Sequence, residues 1–416
     1  MPVKIRENHL EFGSANELLR FVERYGSQRE PFEFEFHEPV RAGGEEVYIA
    51  EGMAVSESRL ENLEKYDAHN KTYRIKLTDA LMPRFAAHLQ QACMQRLSAA
   101  KHDLLSMVFS GATGNVSGIV KNALYNKVNN EARLLTLWLL RLREQDEAFF
   151  DHVVRFGLYT LGIAGVVLER QSFLHRFSFQ AGLLADINTQ NKDILNKPLF
   201  EQSEKYRREF CNLTATAAEK MGMVPEIVEA LRRHLEDLGT GGAPEEAPSI
   251  SILDEEPAEE EVKDTGQLNQ VVVEGLVSVL RLARFVTDSE KSGSDPETKL
   301  RNLIAGLAYH AERGSLPGRY VEPVLKKCES FAKLIRRMKE IAQVEARCVK
   351  KDDSAWAYPK PDAAQVLCLK NHMDCRLFHG GRPLTIVSGA VEGFVSRGLA
   401  PGEYGKCKLA EELPPI

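Results

Sequence analysis

Three residues between positions 151 and 236 have side chains that hold divalent cations and fall on segments with helical spacing. His152 lies in Asp151-His-Val-Val-Arg155, Asp186 ends the predicted helix 173–187, and His234 sits in the predicted helix that starts at Pro225. Imidazole nitrogen and carboxylate oxygen form a mixed donor set suited to first-row metals. His152 and Arg155 are three residues apart, so a helix places them on one face. Ile227, Leu231, His234 and Leu238 follow a 4, 3, 4 spacing that turns His234 toward an apolar core. A further helix passes through Cys211.

In order and spacing these segments resemble the HD-GYP domains over roughly residues 141–327. The resemblance rests on His152-Val-Val-Arg155, Leu183-Leu-Ala-Asp186-Ile187, Ile194-Leu-Asn-Lys-Pro198, and His234-Leu-Glu236 through Gly242-Ala-Pro244. It implies an all-helical fold and a bacterial signalling role. It also implies an ancestry in hydrolysis of cyclic di-GMP by two or three metal ions held on facing helices. Carried over by residue, His152 matches the first ligand, Asp186 the aspartate of the His-Asp pair, and His234 the first of two paired histidines.

Other positions depart from the pattern. Ala185 stands for the histidine of the His-Asp pair, Thr189 for the phosphate-contacting lysine, and Cys211 at or beside the third-helix histidine. Leu235 replaces the second paired histidine, Ala243 the signature tyrosine, and Arg281 the last ligand aspartate. A two-metal hydrolase needs several fixed ligands per ion and a bridging carboxylate. A guanidinium in place of an anionic ligand puts positive charge where dications would sit. The resemblance therefore implies a degenerate, non-catalytic domain with no cofactor, acting on a protein partner, a cyclic dinucleotide or both.

The alternative is an active phosphodiesterase using Fe, Mn or another divalent metal in a divergent site, or a mononuclear site completed by Cys211 or solvent. The plainer account has Asp186 ion-paired to Arg155 or Arg281, with His152 and His234 as hydrogen-bonded core residues. Arg155 and Arg281 are also the candidate phosphate-binding forks. Arg232 and Arg233 read as a solvated face.

The elements that must position these residues read as a mainly α protein with β at both ends. Residues 1–80 form a small α+β module, with a capping serine at Ser14, period-two alternation in Phe32-Glu-Phe-Glu-Phe36, and strand, turn, helix and strand signals at 46–50, Gly52, 56–66 and 73–77. Residues 81–140 form a helical connector and 141–345 the HD-GYP-like bundle. Residues 346–416, rich in Gly and Pro with strands near 365–369 and 383–388, form a small appendage. Within the bundle, residues 245–264 carry nine acids against Lys263 alone, a net charge of −8, which reads as a self-repelling, solvated loop.

At 416 residues, 43% hydrophobic and 27% charged, the chain belongs to the folded globular class. The formal charge of −6 supplies no global field for a nucleic-acid polymer. No apolar run reaches the roughly 20 residues that span a bilayer, and the first residues carry no signal-peptide core, so a cytoplasmic protein is expected, with an oligomer possible. Seven scattered cysteines suit reduced thiols. Cys368, His372, Cys375 and His379 offer four zinc ligands within twelve residues, although their spacing fits no zinc-finger pattern.

Overall fold

The computed structural model describes residues 4–5, 9–26, 34–43, 46–55, 59, 62–99, 104, 108–109, 115–125, 132–168, 171–188, 203–235, 269–290, 295–313 and 316–345, together with the backbone of four C-terminal strands. The chain begins with a three-stranded antiparallel sheet of β1 (Lys4–Ile5), β2 (His9–Phe12) and β5 (Tyr73–Lys76) in the order β1-β2-β5. A two-stranded sheet joins β3 (Val40–Gly43) to β4 (Glu46–Ile49). Helix α1 (Ala15–Tyr25) starts where the sequence says it should. Ser14 Oγ accepts from Glu17 N at 3.2 Å, and Glu17 Oε2 accepts from Gly13 N at 2.7 Å.

Alternation of side chains across this sheet buries Leu10, Phe12, Tyr73 and Ile75 against Phe21, Tyr25 and Phe34. The expected strand 32–36 is narrower among the described residues. Glu35 and Phe36 make isolated bridges to Ala54 and Ile75, bonding on both sides without forming a continuous ladder. Of the expected helix 56–66 the described residues are Arg59 and 62–66, where Leu63–Tyr66 form a 3₁₀ turn. Strands β4 and β5 fall within the expected strands 46–50 and 73–77, whereas β1 to β3 are not marked by the sequence pattern.

Helices α2 (Met82–Ala99), α3 (Val116–Ala123), α4 (Ala132–Gln145), α5 (Glu147–Val167), α6 (Ser172–Leu184), α7 (Glu204–Lys220), α8 (Pro225–Arg233) and α9 (Gln270–Glu290) follow. Helix α5 is central. Its N-cap Asp146 accepts from Phe149 N at 3.0 Å, so the helix begins before Asp151, where the sequence reading placed its start. Helices α5 and α6 approach closely because Gly182 lies against Gly157 and Thr160. A Cβ at position 182 would stand 2.2 Å from Thr160 Oγ1 and 2.9 Å from Gly157 Cα. Thr160 Oγ1 lies 2.7 and 2.9 Å from Gly157 O and Ser178 O, and its single hydroxyl proton, shared between the two carbonyls, ties the same crossing.

Among the described residues α5 is the single helix long and apolar enough to cross a membrane. Its mean hydropathy is 1.2, and 72% of that stretch is buried inside the protein, as expected of a core helix.

By internal contacts the chain forms two compact units. One comprises Met1–Lys291 with Tyr309–Val321, and the other Ser292–Ala308 with Glu322–Ile416. Helices α10 (Pro296–Glu312) and α11 (Gly318–Glu345) each contribute to both. The C-terminal strands β6 (Trp356–Ala357), β7 (Leu367–Cys368), β8 (Phe378–Ile386) and β9 (Gly402–Cys407) form an antiparallel sheet in the order β6-β7-β9-β8. The acidic stretch 245–264 lies outside the described residues.

Candidate functional site

Five helices bring the predicted residues together in the first unit. Asp186 is held in the turn that follows α6, at 1% exposure, so both carboxylate oxygens need partners from the protein. They find them on α9. Arg284 Nη2 donates to Oδ1 at 2.6 Å and Nη1 to Oδ2 at 2.9 Å, a bidentate fork between two buried groups. The guanidinium carbon also lies 4.2 Å over the Phe156 ring on α5. His152 Nε2, on α5, approaches Asp186 Oδ2 at 2.7 Å.

Burial alone would raise the Asp186 carboxyl. Arg284 first and His152 second outweigh it and hold the group well below the usual carboxylate range. Arg284 is pushed the other way. Burial opposes its charge, and Asp186 more than restores it.

His234 caps the C-terminal end of α8 and is fully buried. Burial first, and then the Arg284 charge, lower its imidazolium to about 3, so the ring is neutral. Its Nδ1 is 2.8 Å from Leu231 O and 3.7 Å from Cys211 Sγ. The carbonyl can only accept, so the proton is assigned to Nδ1 and Nε2 carries a bare lone pair. Nε2 is buried and has no hydrogen-bond partner among the described residues.

The two arginines considered from sequence have other tasks. Asp186 is paired by Arg284, one helical turn beyond Arg281, which corrects the expectation of Arg155 or Arg281 as its partner. Arg281 donates from Nε to His234 O and from Nη2 to Arg233 O, both at 3.1 Å, and so caps the carbonyl end of α8 where the helix dipole favours a cation. Arg155 engages the buried carboxylate of Glu290, the last residue of α9. Glu290 also accepts from Tyr159 Oη at 2.5 Å and from Leu104 N at 2.9 Å.

Three of the substituted positions, Ala185, Cys211 and Leu235, are apolar in their surroundings as well as in type. Cys211 and Leu235 form a buried cluster with Phe210, and Ala185 is fully enclosed. Thr189 and Ala243 lie outside the described residues, as do His372 and Cys375. Cys368 and His379 are placed by backbone alone, on β7 and β8, so the expected zinc grouping lies outside the described side chains.

No family model, curated protein or solved structure matches the chain. The site therefore has to be judged by its own chemistry. Among the described residues no group of three or more His, Cys, Asp and Glu is disposed to hold a metal ion. The retained residues do not suit one either. Both oxygens of Asp186 are engaged, His152 faces Asp186, and the cation that neutralises the carboxylate is a guanidinium close enough to depress His234 as well.

Arg284 and Glu290 escaped the sequence reading, although a signal existed. Val273, Val277, Leu280 and Arg284 follow the 4, 3, 4 spacing of a buried stripe, and an arginine on such a stripe demands a buried anion.

Proposed function

We propose that the helical bundle is a non-catalytic relative of the HD-GYP phosphodiesterases, serving in bacterial signalling by binding a protein partner or a cyclic dinucleotide. One observation supports this reading above the others: Arg284 neutralises Asp186 from within the chain, in the pocket that the resemblance assigns to metal ions. A dication entering there would have to displace an arginine already bound through two charge-assisted hydrogen bonds and an aromatic face. Buried Cys93, Cys211 and Cys328, none of them in a disulfide, fit a reducing, cytoplasmic setting.

The runner-up is a metal-dependent phosphodiesterase with a divergent ligand set. The bare Nε2 of His234 favours it, since an unpartnered buried imidazole nitrogen is a ready ligand. Metal analysis of the purified chain, run beside cyclic di-GMP hydrolysis with added Mn and a cyclic di-GMP binding titration, separates the two. Well under one equivalent of metal and no turnover are expected. Stoichiometric metal lost on His152→Ala, or turnover that depends on Asp186, would establish the runner-up.

A further inference from the structure

The polar face of the N-terminal sheet carries two histidines in ring contact. His9 on β2 stands opposite Lys76 on β5, while His37 follows the short segment that pairs with the other edge of β5. Their rings are stacked, with centroids 4.8 Å apart and planes 10° from parallel. The backbone holds this arrangement. His37 N donates to Arg74 O at 2.8 Å and Lys76 N to Glu35 O at 2.7 Å, while Phe36 N and Val55 N extend the pairing to Met53 O and Phe34 O.

The charged groups around the pair come from each element of the face. They are Glu11 on β2, Arg74 and Lys76 on β5, and Glu35 and Glu38 on the bridging segment. Arg74 draws in both Glu11 and Glu38, and Lys76 meets Glu35 at 3.3 Å, so the nearby carboxylates are engaged with cations. We propose that the stacked His9–His37 pair is an acid-sensitive clasp, holding the 34–37 segment to the sheet while the rings are neutral and loosening it when both carry a proton. Two imidazolium rings at this spacing repel each other, and the Arg74 charge beside them adds to that repulsion. Burial, then His37, then Arg74 lower the His9 imidazolium below its ordinary value against the opposing pull of Glu11 and Glu38, in keeping with the geometry.

Hydrogen exchange followed by mass spectrometry on the full chain at pH 7.5 and 5.5, corrected for intrinsic rates, tests the clasp. Peptides covering 34–37 and 73–77 should lose protection by roughly three- to fivefold at the lower pH, the range of an exposed charge pair, while α5 and α6 stay protected. His37→Gln should abolish the loss. His9→Gln should do the same and serves if the first variant fails to fold. Unchanged protection in the parent chain, or an equal loss in a folded variant, overturns the proposal.

Discussion

A buried carboxylate that has found one arginine is worth little as a pair and a great deal as a partner. Removing one member strands the other, so Asp186→Asn should destabilise the protein by about 3–5 kcal/mol. Adding Arg284→Met should recover part of that loss, and denaturant unfolding of the single and double variants measures both effects. Two fully buried groups of the site, His234 and Asp186, contribute to the acid limb of stability. His234 has a depressed folded value near 3, so its contribution is intact above about pH 6.5 and is lost as pH falls toward 3, at up to about 1.4 kcal/mol per pH unit. Asp186 is depressed as well, and its contribution is intact above about pH 4 and is lost only below it. A pH series of unfolding free energies should therefore lose slope between 6.5 and 4 in His234→Gln, and below 4 in Asp186→Asn. The resemblance picked out Asp186, His152 and His234, and helical period added that His234 faces the apolar core. Neither identified the partner. A bidentate fork depends on how far α9 slides along α5 and α6, and one turn of that slide separates Arg281 from Arg284.

Helix pairs in this bundle are set by what is missing from their surfaces. Gly182 lets α6 sit against Gly157 and Thr160 on α5, and Gly182→Ala would force the two helices apart or break the Thr160 hydrogen bonds. A cost of about 1–3 kcal/mol is expected from thermal or denaturant melts, with part of it recovered by adding Thr160→Ala, which removes the clashing hydroxyl. The longer helices were legible from their apolar period, and the capped start of α1 from Ser14 and Glu17. Of the short N-terminal strands, β4 and β5 were legible at 46–50 and 73–77, and β1 to β3 were not. The pairing of β2 is specified by residues 60 or more positions away, where His9–Phe12 meets Tyr73–Lys76, and no local window contains that information. Helix α8 shows a related limit. Its apolar spacing runs through His234, yet the regular helix ends at Arg233, where Arg281 from α9 takes up the terminal carbonyls.

For the molecule as a whole, the internal cation at Arg284 predicts indifference to metals. Ligands that bind the folded state raise its stability by mass action, so a resident metal would betray itself when stripped. The melting temperature should be unchanged, within about a degree, by excess EDTA or by added Mn or Zn, and a larger shift in differential scanning fluorimetry would reveal a site among these side chains. The central position of α5 has a further consequence, for biosynthesis. This helix is apolar enough to pass for a membrane span, and its cover includes α9, which begins more than a hundred residues later in the chain. On a ribosome the helix therefore waits on the order of ten seconds for its last neighbour. Nascent chains stopped before Gln270 should be bound by chaperones, or mistaken by insertion machinery for a transmembrane segment, until α9 emerges and closes the core.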